Sequence, residues 1–415
     1  MKIYRTRTGA KIECFRDPIG DVLILNRPLK NIQEEAIQEA GCILKDIASE
    51  ADIQSKEEYI HFTDDLYLSA GILKTFLQAV SKTPDQPAVL AVPLNRSLDA
   101  IASSQVLTIQ DDSVLFPVHY RIPQSTSAPT PIQIDIQDGY QLRKRLPTHV
   151  YPEGEIIHTV TDKSVIRIIT PVHLHMANML ANLNRLAGMS PPGLVGWLFR
   201  LAKRLQSKKK KAERDDQPPE AHPKAPPKAF YKMLGKMNQI GKNCDIHPTA
   251  VIEGSVIGDN VRIGAMSYVQ FSHIGDEADI GNGACVFSSV IGAQTQLVTR
   301  EWVSMCVVYP NVFFAPRFIQ FALVGRDAQV YPSMYTDYRL DGKPLMAPRD
   351  GTLADIGIPF MGPIIGHRAK VAGGLILAPC RMIPNGVTVY PNAQSVVAKI
   401  PEGLQEGDVI FAGPD

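Results

Sequence analysis

The chain has 415 residues, 43 Lys and Arg against 42 Asp and Glu, and a formal charge of +1. That length allows two or three domains, each with its own core, while the balanced charge argues against nucleic acid as the main partner. No run of about 18 apolar residues is present to span a bilayer, the six cysteines form no C-x-x-C pair, and Met1-Lys2-Ile3-Tyr4-Arg5 is not an apolar leader, so a reduced, cytoplasmic protein is expected.

Residues 1–190 mix short apolar runs with amphipathic segments, the pattern of an α/β domain. Asp21 to Leu25 reads as a buried strand, and a helix runs from Asn26-Arg27-Pro28-Leu29 to Ala40-Gly41 with Ile32, Ala36 and Ala40 on one face. Tyr59-Ile60-His61-Phe62 reads as a strand ending on Thr63-Asp64-Asp65, followed by a second helix through Leu73, Phe76, Leu77 and Val80. Carboxylates at a strand's carboxyl end are well placed for a site in an α/β sheet. His173 and His175, two apart on a later helix, face different sides and argue against a shared zinc. Ser104 and the cysteines have no base close in sequence to activate them.

These pieces resemble nucleotide-sugar pyrophosphorylases, whose strand, x-x-Pro-Leu, amphipathic helix and Ala-Gly are matched from Val22 to Gly41, and whose metal-bearing strand is matched from Tyr59 to Leu66. The late helix from Pro171 to Asn178 is also similar to the end of such domains. The resemblance implies a Rossmann-like nucleotidyltransferase domain forming a nucleotide sugar, with Asp65 as the metal aspartate and Mg2+ as cofactor if that domain is active. The chain departs from the pattern at its start. Only four residues precede Arg5-Thr6-Arg7-Thr8-Gly9, no Gly-x-Gly turn is there to cradle phosphates, and Gly20-Asp21 stands where a phosphate-contacting lysine belongs.

Residues 191–228 change character. Leu194, Trp197, Leu198, Leu201 and Leu205 form one apolar stripe with Arg200, Lys203 and Arg204 opposite, so that 194–211 reads either as a peripheral contact with the inner face of an anionic membrane or as a helix docked on the domain. A proline-rich charged linker follows to residue 228, and Ala229 to Ile240 reads as a short amphipathic helix.

In residues 229–415 a rhythm takes over. Between Ile246 and Leu297 aliphatic residues recur in steps of six, five and six, and Ile257-Gly258-Asp259, Ile274-Gly275-Asp276 and Ile291-Gly292-Ala293 repeat every 17 residues. A repeat too short to bury its own apolar side must stack on its neighbours, as a parallel β-helix does. The segment resembles the hexapeptide-repeat transferases, which implies a left-handed β-helix and a homotrimer. The rhythm breaks at 331–361, read as a loop projecting from one corner, and resumes at Ile365-Gly366-His367.

The overall plan is similar to the bifunctional N-acetylglucosamine-1-phosphate uridylyltransferases and glucosamine-1-phosphate acetyltransferases. Met334 to Gly342, Ile364 to His367 and Leu377-Ala378-Pro379 carry the likeness. It implies acyl transfer from acetyl-CoA or another acyl-CoA to a sugar phosphate or sugar nucleotide, with Tyr335, Asp337, Arg339, Lys343 and Arg349 contacting substrate. Acyl transfer needs a general base, and where that family places its histidine this chain has Ala315. His367 and His273 are the histidines left on coils to replace it. Two other readings stay open: a catalytically degenerate trimeric scaffold or sensor, and a working nucleotidyltransferase.

Overall fold

A computed structural model describes residues 1–123, 125–137, 140–145, 147–148, 154–188, 234–349 and 352–392. The stripe at 194–211 and the linker to 228 lie outside the described residues. Among the described residues no helix is long and apolar enough to cross a membrane.

The N-terminal domain is Rossmann-like and built on a seven-stranded mixed sheet of β1 (Lys2–Thr6), β2 (Ile43–Ile47), β3 (Tyr59–Thr63), β4 (Ala88–Pro93), β5 (Thr108–Gln110), β6 (Ser113–Arg121) and β7 (Thr130–Gln133). The strand order is β7-β4-β6-β3-β1-β2, with β5 alongside β6; β6 runs antiparallel to both its neighbours on the main path and to β5. Helices α1 (Leu29–Glu39), α2 (Ala70–Val80) and α3 (Arg96–Ala102) bring Ile37, Ile72, Phe76 and Ile101 into one core with Ile3, Ile60, Phe62 and Phe116. Ser69 caps α2 by accepting the Ile72 N–H.

One sequence expectation changes in this domain. Asp21 to Leu25 is not a sheet strand: Ile19–Asp21 is a 3-10 turn, and Leu23–Ile24 forms a tiny hairpin with Arg27–Pro28 through Leu25 and Asn26, both at positive φ. Val22 and Ile24 are apolar because they pack into the junction between the domains. The sheet strand of this region is instead β1, between β3 and the edge strand β2, and its pattern is broken by a buried arginine. Arg5 donates to Asp46 (2.7 Å), Gln33 (2.8 Å) and Glu34 (3.1 Å), so its charge is paired on every side.

The C-terminal domain is a left-handed parallel β-helix. Its first two faces have eight strands each, and the third has five, extended by the pair Met334–Tyr335 and Ile376–Leu377. Ile257, Ile274, Ile291, Val308, Val324, Ile365 and Ile383 stack in register as one interior column. The Ile-Gly-Asp corners follow from close approach between rungs, since a Cβ on Gly258 would lie 2.3 Å from Asp276 Oδ1. Each corner Asx accepts the amide one rung back, Asp276 from Asp259 (2.8 Å) and Asp259 from Lys242 (2.6 Å). Of the helix expected from Ala229 to Ile240, residues 229–233 lie outside the described residues, 234–236 are helical, and Gln239–Ile240 is already a strand of the first face.

The domains share a core. Helix α4 (Pro171–Gly188) lies on the first face, with Val172, Leu174 and Ala177 packed among Val290, Val307, Leu323 and Ile364. Residues 331–361 do not project freely. Leu345, Ala347, Ile356 and Met361 are buried in the same junction, and Met346–Arg349 pairs with Thr352–Asp355 as a hairpin. A long polar insertion hides apolar residues at its base, which its sequence average obscures.

Candidate functional site

Strands β1 and β3 end side by side, Thr6 opposite Thr63. Just beyond them Thr8 donates its backbone N–H (3.0 Å) and hydroxyl (2.7 Å) to Asp64 Oδ1. Asp65 accepts Arg167 Nε at 2.8 Å on one oxygen and the Thr63 hydroxyl at 2.5 Å on the other. Where a phosphate cradle would need free amides, the amide at Thr8 is turned onto a carboxylate. Mg2+ takes several oxygen ligands in strict octahedral geometry, and Asp65 is already neutralised by a guanidinium. No cluster of three His, Cys, Asp or Glu suited to a metal forms among the described residues. These residues do not fit the magnesium site that the resemblance implied.

The two candidate bases both lie in the junction. His367 is buried; its Nδ1 accepts the Arg326 N–H (2.9 Å), which leaves Nε2–H to donate to Asp17 (3.0 Å). It thus takes the place of a corner Asx, and Asn385 repeats the pattern by accepting the His367 N–H (2.7 Å). The Arg326 guanidinium also reaches Asp17 (2.9 Å), and Phe15 packs edge-on to the imidazole. With both nitrogens committed, the ring has no lone pair free for a substrate proton. His367→Ala is expected to cost about 2–4 kcal/mol in chemical denaturation, since it empties a buried site, strands the Arg326 amide and leaves Asp17 with the Arg326 guanidinium alone. His367→Asn, which restores the Asx acceptor, should recover part of that; equal losses would show that the Arg326 bond contributes nothing.

His273 sits on the first face, where the Asn26 amide donates to its Nδ1 (3.2 Å) and to Ile291 O (2.8 Å). Burial, with nearby Arg185, pushes its pKa down to about 4. The two histidines of α4 do diverge: His175 meets Met305 O across the junction (2.7 Å), and His173 meets Ser104 (3.0 Å). The Ser104–His173 contact spans 69 positions and has no local sequence signal. It is not an activated nucleophile. His173 Nδ1 accepts the Thr170 N–H (3.3 Å), so Nε2 carries the proton and donates it to Ser104, whose hydroxyl donates to Ile101 O (2.7 Å).

The five residues expected to bind substrate are dispersed. Tyr335 is buried in the third face with its hydroxyl on Tyr331 O; Asp337 is half-buried, and burial raises its pKa. Arg339 pairs with Asp341 near the loop tip, Lys343 is exposed, and Arg349 donates to Ser104 O on the N-terminal domain (3.2 Å).

An open cleft lies elsewhere, at the corner between the second and third faces. One rung there is a residue short, since Trp302 pairs with Phe318 at 16 rather than 17 positions. A cleft of about 570 Å³ is lined there by Met266, Arg300, Glu301, Ala315, Arg317 and Pro332, among others. Glu301 is buried and accepts the Arg317 N–H; burial raises its pKa, and the Arg317 contacts oppose that. The 16-residue step emerges from the strand register, since the rungs beyond Leu297 lack the regular Ile-Gly signature that marks the earlier ones.

Residues 230–333 match the family model described as the GMPPB C-terminal domain. The match covers the rungs ahead of the insertion and ends in its first residues. No curated protein matches the chain. The likeness is to this stretch of the β-helix, so residues 230–333 are similar to the C-terminal domain of a sugar-nucleotidyltransferase-like family.

Proposed function

We propose that this protein is a catalytically degenerate scaffold or sensor of the sugar-nucleotidyltransferase-like group, assembled as a homotrimer. The observation that supports it most is the closure of Asp65 by Arg167 and Thr63 beside an Asp64 that holds Thr8. A domain that binds its own carboxylates in this way keeps its architecture without exposing the groups that turnover requires. The purified chain with Mg2+, a nucleoside triphosphate and hexose 1-phosphates is expected to release no pyrophosphate above background. Release that disappears in Asp65→Asn would sink the proposal. Sedimentation equilibrium tests the trimer, and a monomer at micromolar concentration would remove that part.

One observation favours a second reading, acyl transfer from an acyl-CoA to a sugar phosphate. The open cleft contains Ala315, the position the resemblance gives to the base, and is also lined by Glu301, a carboxyl whose pKa burial raises. Thiol release from acetyl-CoA that depends on glucosamine 1-phosphate and is lost in Glu301→Gln would establish it.

A further inference from the structure

We propose that the shortened corner binds a nucleoside diphosphate, free or as the nucleotide end of a larger cofactor; this depends on neither reading of turnover. The corner tips Met266, Gly283, Arg300 and Arg317 form a column at 17-residue spacing, all at positive φ. In the first three rungs an inward residue, Ser267, Ala284 or Glu301, separates the tip from the strand; in the fourth it is missing, and Arg317 leads directly into Phe318. The Glu301 carboxylate takes up the amide that this deletion would leave, which fixes the corner.

Two columns result. Arg300 and Arg317 stand one rung apart, about 4.8 Å in a β-stack, both exposed and neither in a salt bridge within 4 Å among the described residues, although the Arg317 charge is felt by the buried Glu301 carboxyl. Beside them Trp302 and Phe318, each about half exposed at 46% and 50%, are stacked with ring centroids 6.4 Å apart. Two arginines on corner tips one rung apart offer the paired charge that a diphosphate takes, and exposed aromatic faces suit a base, without a requirement for sequence-like base recognition. The cleft's 570 Å³ lies within the size range of small-ligand sites. Arginine beside Trp and Phe is also a protein-interface composition, so a second copy covering the patch is the competing outcome.

Isothermal titration of the full chain without Mg2+, using ADP, UDP and coenzyme A with inorganic pyrophosphate as the ringless control, tests the proposal. Saturable binding is expected, weakening with salt and by about tenfold or more in Arg300→Ala and Arg317→Ala. Trp302→Ala should weaken the ringed ligands roughly tenfold and leave pyrophosphate unchanged. Asp65→Asn should change nothing, which separates this site from the N-terminal domain. Binding of all three ringed probes supports recognition of the nucleotide itself, and binding of coenzyme A alone supports the larger cofactor. Absence of saturable binding, or binding indifferent to Arg317→Ala and Trp302→Ala, overturns it. So does an oligomer that Trp302→Ala dissolves and nucleotide leaves intact.

Discussion

Replacing Phe314 with alanine is expected to remove about 3–5 kcal/mol of stability. The ring is fully buried in the second interior column, between Leu297 and Val330, and lies one residue before the shortened corner. Rungs contact only their neighbours, so a void there weakens both stacking interfaces at once. The loss should therefore exceed that of an equivalent truncation in an end rung such as Val389, where only one neighbour is present. Urea unfolding followed by circular dichroism reads the difference, and a loss below about 1 kcal/mol for Phe314→Ala would mean that the prism collapses around the gap.

Acid is expected to unfold the protein through its buried histidines. Burial pushes His173 down to about 3 and His119, His175 and His273 to about 4, against 6.5 for a free imidazole. Between pH 6.5 and about 4 the unfolded chain binds these protons and the folded chain does not. Stability therefore falls as pH falls through that window and is fully present above it. His175, buried against Met305 O, should account for on the order of 2–3 kcal/mol by pH 4. Since His175 and His273 both bridge the two domains, the junction should loosen first. A melting temperature that stays constant from pH 7 to 4.5 would refute this, and His175→Gln should flatten the slope.

Much of the architecture was legible because it is periodic. Ile257, Ile274 and Ile291 repeat at 17 residues, and only a stacked coil can bury such a repeat; α1 and α2 announced themselves by amphipathic spacing. β1 was missed because Arg5 breaks its apolar pattern, and that arginine is tolerated only through Asp46, Gln33 and Glu34. The hairpin at Leu23 was misread because burial against a second domain produces the same apolar run as burial in a sheet. His367 could be placed at an Asx corner from its repeat position, yet nothing within the repeat points to Asp17, 350 positions away.

The sequence by itself determined the period, and with it the β-helix and its insertion point, because local spacing decides which side chains can face inward. Only the tertiary structure decided which polar groups are free. Asp65, His367, His273 and Ser104 all carry chemically capable side chains, and each is engaged by residues distant in sequence. Availability for chemistry depends on unshared lone pairs and protons, which long-range contacts set and spacing does not encode.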